Sequence, residues 1–310
     1  MSNIAKIFVI IVTYKGHRWY DRCFSSLRAS ELPVQTVVID NASNDGTVEY
    51  IRECFPEIHV IESKVNLGFG RANNIGMRYA LEQGCDYVFL LNQDAWISSN
   101  TLSVLLQVHY KYPKYGVLTP MHINADKTHL NILLDDGKNN YEMLSDLYFS
   151  NLQDVYTITY ANAAAWLLSR KTLETIGGFC PFIYHYGEDD DYMNRLIYHQ
   201  IPMGIVPTVS IIHDSTCRMG ESKVLATKAA REGVYQMINI NNTQEPISLL
   251  IYYIRKWFIN ILRANVNSRK YCAEKIIYIY SNFKVLNSVR KLHRTKDVHW
   301  LYYDSDKIEY

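Results

Sequence analysis

The run YVFLLNQDAW, Tyr87 to Trp96, ends five strand-forming residues on Asn92, Gln93 and Asp94. A turn alone would account for that, because Asn and Asp bond their own backbone. A carboxylate at the tip of so apolar a strand would equally hold something charged. A second group is GEDDD, in which Glu188, Asp189, Asp190 and Asp191 open a helix. Acids favour a helix N-terminus electrostatically, which explains one or two of them. Four adjacent carboxylates repel one another, and such crowding raises proton affinity in the direction a general base needs. Asp191 and Arg195 stand four apart and are expected to pair, so Asp191 reads as structural. His213 closes a later strand; a lone histidine is more often a satisfied core or surface residue than a ligand.

The stretch NLGFGRANNIG, 66–76, begins like a dinucleotide fingerprint at Gly68 and Gly70, but Asn73 occupies the third glycine position. Thr13-Tyr14-Lys15-Gly16, after the first strand, carries no fingerprint either, so a nicotinamide-dependent oxidoreductase is disfavoured. A glycine turn feeding a helix admits a phosphate or nucleobase at the helix N-terminus, or is simply a tight turn. Asp40-Asn41 ends the second strand, where an acid commonly meets a ribose or base edge; turn chemistry is again the alternative. Trp96, Trp166, Tyr184 and Tyr186 flank these groups and suit either stacking on sugar faces or core packing.

These residues need elements to hold them. Strand-like runs at 7–12, 35–40, 58–63, 86–91 and 116–120 alternate with helix-like segments near 18–29, 46–54, 70–83 and 98–111. Near-continuous apolar strands between amphipathic helices predict an α/β fold with a mostly parallel sheet covered on both faces. Ligands then bind beyond the carboxyl ends of the strands, where Asp40 and Asp94 stand. Residues 121–156 read as polar and irregular, with DDGKNN as a loop; 155–169 reads as one strand, and MGIVPTVSIIHD as part of a strand pair. From about 246 the pattern is helical, with Ile276, Ile279, Phe283, Leu286 and Val289 at three- and four-residue intervals. The division expected is 1–120, 121–245 and a basic helical extension over 246–310.

The 310 residues are 48% hydrophobic and 20% charged, which suits an ordinary globular protein. Six scattered cysteines form no zinc spacing and point to a reduced, intracellular setting. The apolar start, MSNIAKIFVIIVTY, reads as a first strand rather than a signal peptide. Arg255 to Lys296 holds eleven Lys or Arg against one acid, Glu274, a local charge of 11 − 1 = +10 in a chain whose net charge is +1. Three readings of this tail stand open: a packed helical pair, a nucleic-acid face, and an interfacial helix on anionic lipid, with no nucleic-acid-binding motif present.

In order and approximate spacing, VTYKG, VVIDNASNDGT, NLGFGRANNIG, FLLNQDAW, GGF and GEDDDYMNR resemble the family-2 glycosyltransferases, in particular rhamnosyltransferase-like members that build bacterial surface polysaccharides. The resemblance covers about residues 5–215. It implies the GT-A fold and an inverting, cation-dependent transfer from a nucleotide diphosphate sugar to a saccharide or lipid-linked acceptor. By that resemblance Asp94 anchors Mg²⁺ or Mn²⁺, with His213 as a further ligand. The usual Asp-x-Asp reads Asn92-Gln93-Asp94 here, and Asn92 is left to bond ribose. Thr13, Tyr14, Asp40, Asn41, Asn66, Gly68, Gly70 and Asn73 would line the nucleotide-sugar site. Asp189 would be the base, with Glu188 as its substitute, and Trp96, Trp166, Tyr184 and Tyr186 would meet the acceptor. A cytoplasmic location follows, with the inner membrane face as a docking surface for the tail. A silent nucleotide-sugar binder and a nucleotidyltransferase are the rival readings.

Overall fold

The computed structural model describes residues 5–131, 140–184, 186–214, 234, 236–242 and 245–303. Among them, nine strands form one sheet in the order β3-β2-β1-β4-β8-β6-β9-β5, with β7 paired to β9. Its first half is parallel: β1 (Ile7–Thr13) lies between β2 (Val34–Asp40) and β4 (Tyr87–Leu91), and β3 (His59–Glu62) closes the edge. The second half is mixed. β8 (Ala165–Ser169) runs antiparallel to both β4 and β6 (Val117–Ile123), and β9 (Met203–His213) returns parallel to β6. The short β5 (Ala95–Ile97) and β7 (Tyr156–Ile158) both pair antiparallel with β9.

Strand periodicity explains the layers. On β1, Phe8 and Ile10 face the core formed with α3 (Phe69–Glu82), α6 (Arg170–Ile176) and α7 (Glu188–Tyr198). Ile7, Val9 and Ile11 face the opposite core, under α1 (His17–Arg28), α2 (Thr47–Cys54) and α4 (Thr101–Lys111). Both faces are buried, so the strand reads as an unbroken apolar run.

Three expectations from the sequence need correction. Residues 155–169 form two strands, β7 and β8, because the intervening segment around Tyr160 turns towards α7. The expected strand pair is one eleven-residue strand, β9, whose pairing with β6 skips from Val206 to Ser210 around Pro207; proline cannot donate to the ladder, so it sits in the irregularity. The region 121–156 also contains a helix, α5 (Asn140–Tyr148). The DDGKNN loop lies outside the described residues apart from Asn140.

Among the described residues the tail holds three helices, α8 (Pro246–Leu262), α9 (Val266–Ser281) and α10 (Phe283–His293). The apolar periodicity across 276–289 therefore spans a break at Asn282. Leu249, Ile279, Leu286, Val289 and Trp300 form a third core with Cys180 and Ile183. Beside it runs a buried polar chain. Arg195 Nε donates to Asp191 Oδ2 at 3.0 Å, the i,i+4 pair expected from the sequence, and its other nitrogens reach the Ile176 and Gly178 carbonyls. Trp300 Nε1 donates to His293 Nε2 at 3.1 Å. An indole can only donate, so the His293 proton sits on Nδ1, which faces Asp191 Oδ1 at 3.4 Å. The tail thus grips the helix that begins with the GEDDD acids. No helix among the described residues is long and apolar enough to cross a membrane.

Candidate active site

Parallel register aligns Thr13 with Asp40 and brings the carboxyl ends of β1, β2 and β4 together. Beyond them opens a cleft of about 440 Å³, lined by Val12, Tyr14, Asn41, Asn66, Gly68, Phe69, Asn92, Gln93, Asp94 and Tyr184. Asn41 holds one wall. Its Oδ1 accepts from the Leu67 amide at 2.7 Å, and its Nδ2 donates to Asn66 Oδ1 at 2.9 Å. Asn66 Oδ1 also accepts from the Gly68 amide at 2.9 Å. Gly68 adopts φ +80°, and a Cβ there would lie 2.1 Å from the Tyr184 carbonyl oxygen, so only glycine fits this crossing. The helix that follows, α3, starts with no side-chain cap.

Asp40 does not line the cleft. Its buried carboxylate accepts from Thr13 Oγ1 at 3.0 Å, the Ser43 amide at 3.0 Å and Ser43 Oγ. Those bonds close the 40–43 turn, and Thr13 is buried with it.

The opening motif divides its labour. Gln93 braces two strand ends: its Oε1 accepts from the Tyr14 amide at 2.9 Å and its Nε2 donates to the Tyr14 carbonyl at 3.1 Å. Asn92 donates its backbone amide to Ala164 O at 3.0 Å, while its side-chain Oδ1 is buried with no partner among the described residues. Asp94 meets His213 because β5 and β9 pair with Ala95 opposite His213. His213 Nε2 lies 3.4 Å from Asp94 Oδ1, and its Nδ1 is buried with no partner among the described residues. The Asp214 amide donates to Asp94 O at 2.8 Å, Asn131 Nδ2 donates to His213 O at 2.7 Å, and Trp19 Nε1 donates to Asp214 Oδ2 at 2.9 Å.

One carboxylate and one imidazole at this spacing, beside a cleft, fit a divalent cation that takes its remaining oxygens from diphosphate and water. Asn92 Oδ1, buried with no partner among the described residues, supports that fit, and the histidine would meet the cation through Nε2, the nitrogen that faces Asp94. Underneath, His122 sits with its ring centroid 6.1 Å from that of His213, and burial pushes its pKa down to about 3. It therefore stays neutral and does not repel a cation. Gln93 and His122 escaped the sequence reading: no spacing marks a bracing amide, and a single histidine in an apolar strand carries no signal.

Asp189 lies at the start of α7, partly buried, and burial raises its pKa above the ordinary carboxylate range. Tyr160 Oη donates to it at 3.1 Å and the Asp190 amide at 3.0 Å, both opposing that rise. The loop carrying Tyr160 also supplies the Ala164 carbonyl that holds Asn92. One loop thus touches both the strand tip and the carboxylate, although Asp189 itself is not among the cleft-lining residues. Glu188 is buried near Gly70, whose own Cβ position would lie 2.9 Å from Phe179 Cβ; Gly70 serves close packing. Asn73 is buried and bonds back to Phe69 O at 3.0 Å within α3.

The aromatic candidates separate. Tyr184 lines the cleft and donates to Asn66 O at 3.3 Å. Tyr186 is exposed. Trp96 stands under the Arg22 guanidinium at 5.3 Å, outside the cleft lining. Trp166 is fully buried against Phe179 and Tyr192 and is a core residue, inaccessible to an acceptor. His185, between the two tyrosines, lies outside the described residues.

A cleft at the ends of parallel strands, with the Asp94 of an acid–imidazole pair in its lining, places this chain among the ligand-binding α/β folds. Residues 8–177 match the family model for glycosyl transferase family 2, and the chain belongs to that family. It is 22% identical over 210 residues to the dTDP-rhamnosyl transferase RfbF of Shigella flexneri, covering 67% of this chain and 69% of that one. It is 23% identical over 256 residues to the N-acetylglucosaminyl-diphospho-decaprenol L-rhamnosyltransferase of Mycobacterium tuberculosis, covering 73% and 82%. A crystal structure of GalNAc-T7 with UDP, GalNAc and Mn²⁺ superposes with a TM-score of 0.60 at 15% identity, over 97% of this chain and 56% of that one. The fold is therefore GT-A, and the chain is a glycosyltransferase.

Proposed function

We propose that the protein catalyses an inverting, divalent-cation-dependent transfer of a hexosyl or deoxyhexosyl group in surface polysaccharide synthesis. The donor is a nucleotide diphosphate sugar, and the acceptor is a hydroxyl of a saccharide or lipid-linked saccharide. The observation that carries this reading is the Asp94–His213 pair at 3.4 Å on the rim of the cleft. Asp94 and His213 would hold Mg²⁺ or Mn²⁺, which when bound neutralises the departing diphosphate.

The chain's own residues do the rest. The Asn41–Asn66–Gly68 network and the uncapped start of α3 shape the nucleotide end. Asp189 accepts the proton of the acceptor hydroxyl as that oxygen attacks the anomeric carbon opposite the leaving group. The electron pair of the broken bond leaves with the diphosphate. The relatives named for rhamnosyl transfer, one of them for a decaprenyl diphosphate-linked acceptor, support this choice of donor and acceptor.

The test is thermal stabilisation by dTDP, UDP and GDP, with and without Mn²⁺ or Mg²⁺, for the native protein and Asp94→Ala. Cation-dependent stabilisation by at least one nucleotide, lost in the variant without loss of fold, is expected. Equal stabilisation of both proteins, or none that needs a cation, would overturn the metal role.

A further inference from the structure

The tail leaves one face that neither the sheet nor the cleft accounts for. Along α8, Pro246, Leu249, Leu250, Tyr253, Trp257 and Asn260 turn inwards, as their burial shows. On the outer side Ile247, Ile251, Ile254, Phe258 and Ile261 recur at steps of four, three, four and three residues, which keeps them on one helical stripe. They are exposed, from 37% for Ile254 to 57% for Phe258, and Leu262 at the helix end is 88% exposed. An outward stripe of this kind on a surface helix reverses the normal pattern and marks a contact surface.

The charges choose its occupant. From Pro246 to Ala273 there is no acid, while Arg255, Lys256, Arg263, Arg269 and Lys270 accompany the stripe. Around the helix Arg255 follows Leu262 at the edge of the apolar stripe, while Arg263 and Lys256 lie further round, on the exposed flank away from it. A second copy of the chain would bring another strongly basic tail against this one, which like-charge repulsion opposes. A bilayer with anionic headgroups satisfies both halves, taking the apolar side chains into the acyl boundary and the cations at its surface.

We propose that α8 is an interfacial membrane anchor. Its Ile247–Ile261 stripe enters the bilayer surface, and Arg255 at the edge of that stripe binds anionic lipid, in a tail whose acid-free stretch from Pro246 to Ala273 adds general attraction to an anionic surface. The helix lies in the plane of the membrane and does not span it. The claim is independent of the transfer chemistry, because it is read from a face remote in sequence from the cleft residues.

Flotation of the full chain with vesicles tests it. The lipid is phosphatidylcholine alone or phosphatidylcholine mixed with phosphatidylglycerol, and size-exclusion chromatography is run alongside. The native protein is expected to float only with the anionic mixture. Arg255→Gln should weaken partition by roughly fivefold. Ile251→Ser with Phe258→Ser should weaken it by more than tenfold while the thermal unfolding midpoint stays unchanged. Absence of flotation, equal flotation on neutral vesicles, or unchanged flotation of the serine variant would overturn the proposal. So would a native dimer that the serine variant dissociates.

Discussion

Asp191→Asn is the most informative single change outside the cleft. It conserves volume and hydrogen-bonding shape while removing one charge from a site where Arg195 and Asp191 are 2% and 1% exposed. The Arg195 guanidinium would keep the Ile176 and Gly178 carbonyls, at 2.7 and 2.8 Å, but no counter-charge. Breaking a buried pair by neutralising one partner costs about 3–5 kcal/mol, because the other charge stays buried and uncompensated. The lower end applies here, since burial penalises the Asp191 carboxylate more than Arg195 favours it. At roughly 1.5 °C per kcal/mol for a chain of this size, the unfolding midpoint should fall by about 4–6 °C. The exposed pair Arg170–Glu174, at 2.7 Å, provides the contrast. Glu174→Gln should cost under about 1 kcal/mol, because solvent screens it. Scanning calorimetry of both variants beside the native protein decides the matter. A midpoint for Asp191→Asn within a degree of native would refute the claim that the Asp191 carboxylate is the buried counter-charge on which Arg195 depends.

Three further outcomes follow from the geometry. Tyr160→Phe removes a bond that favours ionised Asp189, so the acid limb of kcat/KM should move to higher pH by about 0.5–1 pH unit; a pH–rate profile that moves the other way would remove Asp189 as the base. Gly68→Ala places a side chain at φ +80° and 2.1 Å from the Tyr184 carbonyl oxygen, so nucleotide diphosphate affinity should fall at least tenfold by titration calorimetry, on top of about 1–2 kcal/mol of backbone strain. Asp40→Ala strands the buried donors of Thr13 and Ser43 and should cost about 2–4 kcal/mol in urea unfolding; a stable variant that merely binds nucleotide less well would return Asp40 to the ligand.

The legible parts of the structure were those set by local pattern. Continuous apolar runs gave β1 to β4 and β6 their places, and the four-residue interval from Asp191 to Arg195 gave their ion pair. The irregular second half was not legible, because the bend at Tyr160 has no turn residue stronger than Asn162, two positions on. The three residues of β5 carry no periodicity at all. Asp40 shows the limit within the site itself. An acid at a strand tip has the same sequence whether it faces a ribose or its own Ser43. The His293–Asp191 contact joins positions that no local interval connects.

The register that seats Ala95 opposite His213 also governs when the molecule becomes competent. Asp94 follows β4 early in the chain, but its imidazole neighbour comes only at the end of β9, the last strand. The segment matched by the family model stops at residue 177, so a product cut there would lack Tyr184 of the cleft wall and hold only half of the acid–imidazole pair. Grafts between relatives therefore need a junction beyond Trp300, where both His213 and the tail's grip on α7 travel with the cleft they complete.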